Sequence, residues 1–518
     1  MAATMNMGVP YTLGRARSSL IHFGLGKVAA ALTGLVLLLV LVRALAPRDY
    51  GAYVALLAFL EIFYLLTGWG LSTIAQRYVA EYRVKASPGR FRTFILRLLA
   101  LRLALALGFV ALIAGVALAG LEQGWIAREG PVAALGGPLL GGTVALLVAG
   151  VMVRFLDELF AALLMQGATQ GLLFLRNAVR LAALVALMGG GPVALHALVL
   201  LEALVQLGSV VLGAGLLAGH LHSNAVSGGD PHYANPRLAS VSLRFFLVQA
   251  LGQLYGADIL KLLTTRLLGV TQTAVFGFAQ AFADIIRSYL PAYLLTGWIR
   301  PLLVARYVER RDTAELAWLA GLALKLNLFV LAPVAVFFAL DGRAFAALLS
   351  GGRYGDAGAM LFWLVLLVAV QSVHLVLGLV AVTLERAGAN IVATLLAGLA
   401  LPFALVLAPR FGLPGVAWSL IGGELLWCAT VALSLARHGL LPLQVLVGGW
   451  LRLLVATGAA YLLTTALLPG PAVGGWALLG HGLLAGASFL TLAAGLKPFT
   501  GRERDVLGKV LPLRWWFW

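Results

Sequence analysis

Runs of roughly 20 apolar residues, each long enough to cross about 30 Å of hydrocarbon as a helix, follow one another along the chain and leave few folds open to it. Such runs lie near residues 19–46, 52–78, 93–120, 139–165, 171–189, 193–220, 240–265, 272–303, 315–340, 358–384, 388–408, 413–437, 444–467 and 472–496. The expected fold class is therefore an all-α polytopic membrane protein of about fourteen transmembrane helices. Composition agrees: 62% of the 518 residues are hydrophobic and 11% charged, far from the balance of soluble domains. The first run is longer than a signal-peptide core and no small-residue cleavage site follows it, so it reads as helix one.

The net charge of +17 would suggest nucleic acid in a soluble protein. In a membrane protein it is first a statement about topology, because Lys and Arg accumulate in loops that stay in the cytoplasm. With Arg15 and Arg17 placed inside, alternate loops come out basic, among them Arg77 to Arg97 and Arg300 to Arg311. The intervening loops are short and hold only Arg43, Arg48, Arg128, Arg266, Arg343, Arg353 and Arg410. Both termini are then expected in the cytoplasm, with no role for nucleic acid.

An internal repeat organises the spans. Arg43, Leu45, Gly51 and Tyr53 recur 223 residues later as Arg266, Leu268, Ala274 and Phe276. At a slightly longer offset, Thr67-Gly68-Trp69 recurs as Thr296-Gly297-Trp298, and Arg77-Tyr78-Val79 as Arg306-Tyr307-Val308. An even number of spans separates the copies, so the halves have the same orientation and an axis along the membrane normal. The expected organisation is an N-lobe over 1–220, a cytoplasmic inter-lobe loop over 221–239 and a C-lobe over 240–437. Two added spans over 438–498 and a basic, aromatic cytoplasmic tail over 499–518 follow. That tail ends Arg514-Trp515-Trp516-Phe517-Trp518, the composition of an interfacial anchor.

The passage Val42-Arg43-Ala44-Leu45-Ala46-Pro47-Arg48-Asp49-Tyr50-Gly51-Ala52-Tyr53, followed by Gly68-Trp69-Gly70-Leu71 and Arg77-Tyr78, resembles the opening of Wzx-type oligosaccharide flippases. These belong to the polysaccharide biosynthesis family, in the multidrug/oligosaccharidyl-lipid/polysaccharide (MOP) superfamily. Leu268-Gly269-Val270 through Val275-Phe276-Gly277 looks like the second copy. The resemblance spans helices one to twelve; the last two helices match in number only. It implies two parallel six-helix repeats, as in multidrug and toxin extrusion (MATE) antiporters and lipid II flippases. It further implies alternating access in the bacterial inner membrane, with an undecaprenyl-pyrophosphate-linked glycan and membrane lipids as partners and polysaccharide polymerase machinery nearby. The added helices form a groove for the lipid tail in several such relatives. No cofactor is implied, and coupling to H+, to Na+ or to the membrane potential stays open.

Ionisable side chains within spans each need a partner or water, since one costs about 2.5–3.5 kcal/mol at a helix centre on insertion scales. Arg154 with Asp157, Asp258 with Lys261, and Asp284 with Arg287 stand three residues apart on one helix and can neutralise themselves. The repeat places Glu61 on Asp284, so an acid recurs at one depth in both halves. Glu61, Asp284 and Asp258 are accordingly candidate coupling or ion-pair residues. Lys27 and Lys325 lack an acid one turn away; each snorkels, pairs with another helix or lines a wet cavity. Lys27, Lys261, Arg287 and Lys325 are the candidate substrate-binding residues, a cationic cavity for a pyrophosphate, which the planar fork of Arg binds bidentately. Glu202, Glu424 and Arg452 have no partner legible in sequence, and His196 and His374 read as packing residues.

Other chemistries are poorly served. Cys428 is the single cysteine, which excludes a disulfide framework and a thiolate metal cluster. Gly24-Leu25-Gly26-Lys27 lacks the spacing and following hydroxyl of a phosphate loop. A polysaccharide polymerase or ligase needs a catalytic outer loop, and the outer loops here carry no acid/base pair. A drug antiporter would favour an acidic cavity. Helix breaks are expected at Pro291 with Gly297, at Pro333 and at Pro402.

Overall fold

In the computed structural model of the protein, residues 13–123, 138–191, 193–223, 230–235, 238–253, 256–294, 312–384, 387–437 and 449–510 are described. Every expected span carries helix. The first half holds α1 (Leu13–Ala44), α2 (Pro47–Leu66), α3 (Leu71–Lys85), α4 (Pro88–Glu122), α5 (Pro138–Ala162), α6 (Gln166–Met188) and α7 (Leu195–Ser223). There follow α8 (Leu238–Gln253), α9 (Ala257–Leu267), α10 (Val270–Tyr289), α11 (Pro291–Leu294), α12 (Thr313–Ser350) and α13 (Ala357–Thr383). The last are α14 (Ala387–Ala397), α15 (Ala400–Phe411), α16 (Leu413–Arg437), α17 (Trp450–Leu467), α18 (Gly475–Leu496) and α19 (Gly501–Val510). Among the described residues, 11 helical segments are long and apolar enough to span a membrane; the chain is a multi-pass membrane protein. The expected spans 52–78 and 240–265 are each divided in two, as is 388–408.

Local chemistry explains the first and last of these divisions, and a further one within the expected span 272–303. Between α2 and α3 the buried Thr67 turns its hydroxyl back to the Phe63 carbonyl (2.7 Å), and Trp69 and Gly70 then take φ values of 43° and 74°. Glycine is at ease there and tryptophan is not. Trp69 is held by stacking on Phe246, with centroids 5.7 Å apart, and by the Ser242 hydroxyl on its carbonyl. The break expected at Pro402 falls at Gly398 and Leu399 instead, because a proline ring collides with the carbonyl four residues earlier. Leu290, just before Pro291, is extended at ψ 141°, the conformation that a following proline favours; Gly297 lies outside the described residues. Pro333 sits inside the uninterrupted α12.

The chain groups into two compact units: Met1–Asp49 with Phe59–Ala250, and Tyr50–Ala58 with Leu251–Trp518. The division falls in the last turn of α8, between Ala250 and Leu251, later than the polar break that marked it in the sequence. In the first unit, α5 packs on α7 and α3, and α1 on α6. Its core contains Tyr78, Val79, Ile95, Phe155 and Phe160, so Tyr78-Val79 of the repeated triplet is a packing element. Residues 230–235 of the expected loop are tied down: Asp230 N–H donates to the Lys85 carbonyl (2.9 Å) and Ser87 N–H to that of Asp230 (3.1 Å).

In the second unit α12 and α13 form the central pair, with α10 and α16 on α13 and α17 and α18 on α12. The start of α2 also belongs here. Tyr50 meets Tyr354 edge-on at 5.8 Å, and Val54 lies over Gly277 so closely that a Cβ at 277 would collide with its methyl groups. Gly277 is the residue 223 positions after Val54: in the repeat these two are counterparts, and they touch. A cavity of about 780 Å³ opens among α12, α13 and α17, walled by Phe338, Phe362, Trp363 and Leu366, with Tyr461 and Arg343 also lining it.

Candidate functional site

Charged side chains within the spans pair off inside each unit. In the first, the Arg154 guanidinium on α5 donates both Nη groups to the two oxygens of Glu61 on α2, a bidentate fork. Asp157 is bonded to Arg176 of α6 (2.9 Å). The intrahelical neutralisation expected of Arg154 and Asp157 is thus corrected to pairs that cross between helices, since bidentate geometry satisfies more of the guanidinium than a partner one turn away. Glu202 meets Arg180 at 2.7 Å.

One turn beyond Glu61, Tyr64 donates its hydroxyl to Glu158 (2.7 Å), and its ring lies beneath two cations, Arg102 at 4.4 Å and Arg154 at 5.4 Å. Arg102 is fully buried and donates Nη2 to the Tyr64 carbonyl (2.8 Å). Its Nε and Nη1 have no hydrogen-bond partner among the described residues, so the aromatic faces carry part of its stabilisation.

In the second unit Lys261 bonds Asp258 at 2.9 Å and Arg287 bonds Asp284 at 2.7 Å, as their spacing predicted. Arg287 also donates to Gln371 on α13 (3.2 Å). One turn along α13 stands His374, its Nδ1 2.6 Å from Glu424 Oε2 on α16 and its ring 3.5 Å above Trp427. His374, expected to be a packing residue, therefore packs and hydrogen-bonds at once. Lys325 finds a partner on another helix: it is 2% exposed and donates to both oxygens of Glu503, at 2.8 Å each. His481 bonds the buried Asp341 at 2.7 Å, and Arg452 donates to the Lys497 carbonyl. His196 is exposed on α7. The side chain of Lys27, on α1, lies outside the described residues.

Two pairs stand out for their exposure. Arg154 and Glu61 keep 36% and 37% of their side-chain surface, and Arg287 and Asp284 keep 35% and 42%. Charge left open at membrane depth requires water beside it, because lipid would exact the full insertion cost. The repeat-related acids Glu61 and Asp284 thus each hold an arginine in a partly exposed pair. Chemically, such a pair offers a guanidinium fork to any anion that displaces the carboxylate. Sequence reasoning missed Tyr64, Arg102, Glu158, Arg176 and Gln371, although an arginine amid an apolar run, as at 102, was itself a usable signal. Outside the spans, the Tyr233 hydroxyl and the Lys85 ammonium hold the Glu81 carboxyl below the usual carboxylate range.

No protein-family model matches the chain, and no curated protein is similar in sequence. Solved structures are similar in fold. Lipid II flippase MurJ in an inward closed conformation superposes with a TM-score of 0.65 at 11% identity, covering 94% of this chain and 100% of that one. An inward-facing MATE family multidrug resistance transporter of the MOP superfamily gives 0.56 at 17% identity, over 79% and 94%. The MATE multidrug transporter DinF-BH gives 0.54 at 15%, over 84% and 98%. The chain has the fold of MOP-superfamily flippases and transporters.

Proposed function

We propose that this chain is a flippase that carries an undecaprenyl-pyrophosphate-linked oligosaccharide across the bacterial cytoplasmic membrane for surface polysaccharide assembly. The observation that carries the reading is the pair of partly exposed arginine–carboxylate sites, Arg154–Glu61 and Arg287–Asp284, on a MOP fold. Between cycles each acid holds its arginine in place. An incoming phosphate displaces the acid and takes the guanidinium fork of its unit, with Lys261 adding positive potential in the second unit. Lys325, engaged on both sides of its ammonium by Glu503, is left to the architecture. The apolar cavity beside α17 suits a prenyl chain, and the lipid II flippase superposition covers too much of the chain to omit α17 and α18.

No nucleotide is needed. A headgroup with two negative charges moving outward gains about 2.3 kcal/mol per charge per 100 mV of inside-negative potential. Glu61 and Asp284 are then gates, each on the arginine of its own unit.

The double variant Arg154→Gln/Arg287→Gln, present in the membrane at normal abundance, is expected to lower export of surface glycan at least tenfold. Wild-type export in that variant sinks the cationic-site reading. The fold neighbour that covers most of the chain keeps one competing substrate in view, lipid II. Rescue of cells depleted of their lipid II flippase, without movement of undecaprenyl-pyrophosphate-linked oligosaccharide in reconstituted vesicles, would decide for it.

A further inference from the structure

Apart from Glu315 in the first turn of α12, four acids of the second unit lie within its described spans: Asp258, Asp284, Asp341 and Glu424. The first two face Lys261 and Arg287. The last two face histidines, His481 and His374. This difference matters for proton chemistry. Arginine stays charged at every accessible pH, so protonating Asp284 would strand a guanidinium charge at membrane depth, and Glu61 is under the same constraint through Arg154. Protonating an imidazole–carboxylate pair does the reverse: it takes the pair from a net charge of −1 to zero.

We propose that His374 and Glu424 form a proton-binding site of the second unit. In the deprotonated state the His374 Nδ1–H donates to the Glu424 carboxylate, across the 2.6 Å contact, which fixes the tautomer. The transferable proton then enters and leaves at Nε2, and the Nδ1–H bond persists throughout. His374 retains 30% of its side-chain surface, whereas Glu424 retains 10%, so the imidazole is the exchanging end and the carboxylate the buried counter-charge. The second histidine pair lacks that access. Asp341 is 1% exposed, and its other oxygen accepts the Ala472 N–H at 2.9 Å, which makes it an anchor between α12 and the start of α18.

The surroundings fit a site that must both hold and release a proton. From α10, Arg287 and Asp284 face the same region, with Arg287 bridged to α13 by Gln371, one turn before His374. From α11, Tyr293 interacts electrostatically with both Arg287 and Glu424, and Cys428 stands one turn after Glu424 on α16. Of the charges on α12, Lys325 is engaged by Glu503, Asp341 by His481 and Arg343 by Asp356, and Glu315 stands in its first turn. Beyond α10, the acid and base of α9, Asp258 and Lys261, are bonded to each other. Trp427, stacked on the ring 5° from parallel, stabilises an imidazolium over its face. Participation of this site in a transport cycle rests on the reading proposed above; proton binding itself does not.

The indole reports on the site. With the full chain in phosphatidylcholine nanodiscs, the Trp427 emission is obtained as the difference between wild type and Trp427→Phe. It is expected to fall on acidification from about pH 8 to pH 5 as the imidazolium forms. His374→Gln should abolish that change and Glu424→Gln should shrink it. Independently, proton uptake by the purified wild-type chain across the same step should exceed that of His374→Gln by about one proton per molecule. A flat Trp427 signal in wild type, an unaltered one in His374→Gln, or equal uptake by the two proteins overturns the proposal. Neither measurement uses a transported substrate, so a wrong glycan fails the vesicle assay and leaves these results standing.

Discussion

Substituting Glu503 by Gln isolates the charge in the contact that docks α19. The sequence Thr500-Gly501-Arg502-Glu503 is a capping box: Thr500 N–H donates to Glu503 Oε2 (2.7 Å) and Glu503 N–H to the Thr500 hydroxyl (3.4 Å). Glutamine can keep the first of these bonds but offers Lys325 no charge. Lys325 and Glu503 retain only 3% and 6% of their side-chain surface, and removing one partner of a buried ion pair costs about 3–5 kcal/mol. That loss competes with undocking, in which α19 leaves and water reaches Lys325. Docking is held by Phe499 and Leu507 against Leu322, each buried side chain worth about 1.5–3 kcal/mol, and by Arg502 over Trp318 at 4.2 Å. The two energies are comparable, so the variant should populate the undocked helix. Hydrogen exchange of the amides of 501–510 should accelerate by a factor of about 100 or more, at 1.36 kcal/mol per tenfold, while the spans stay protected. Lys325→Met/Glu503→Gln, which removes both charges, should return within about tenfold of wild type. Unchanged exchange in Glu503→Gln refutes the assignment of the docking energy to this pair.

Gly277→Ala should destabilise the purified protein by about 1–3 kcal/mol through overpacking against Val54, with Val54→Ala in the same chain recovering most of it; melting of the two single variants and the double variant checks this, and strict additivity would deny the contact. Glu81 is held below its unfolded-state value by Tyr233, so its contribution is complete above that value and is lost as pH falls through the lower, folded one. Proteolysis within residues 230–235 should therefore rise on acidification in wild type, and Tyr233→Phe should show raised cleavage already at neutral pH.

Helix positions were legible because apolar length is a strong signal and each break has a local cause: Leu290 before Pro291, Gly398 four residues before Pro402. The intrahelical pairs Asp258–Lys261 and Asp284–Arg287 were legible for the same reason, since three-residue spacing fixes proximity. Arg154–Glu61, Lys325–Glu503 and His374–Glu424 were not, because their partners lie 50 or more residues apart in the chain and nothing in a single sequence says which helix faces touch. The repeat identified Glu61 and Asp284 as equivalent acids, yet one takes its arginine from a neighbouring helix and the other from its own. Equivalence of position did not carry equivalence of partner.

Contact between Val54 and Gly277, counterparts across the duplication, bears on how this sequence arose. Where two identical polypeptides associate about a twofold axis, a residue near that axis meets its own copy, and both must be the same amino acid. Two valines there would collide and two glycines would leave a void. A large residue nested on a small one is open only to chains that already differ, so this fit became accessible once the two copies were encoded separately. At this close crossing the two copies of the repeat are not interchangeable, since a valine at 277 would collide with Val54.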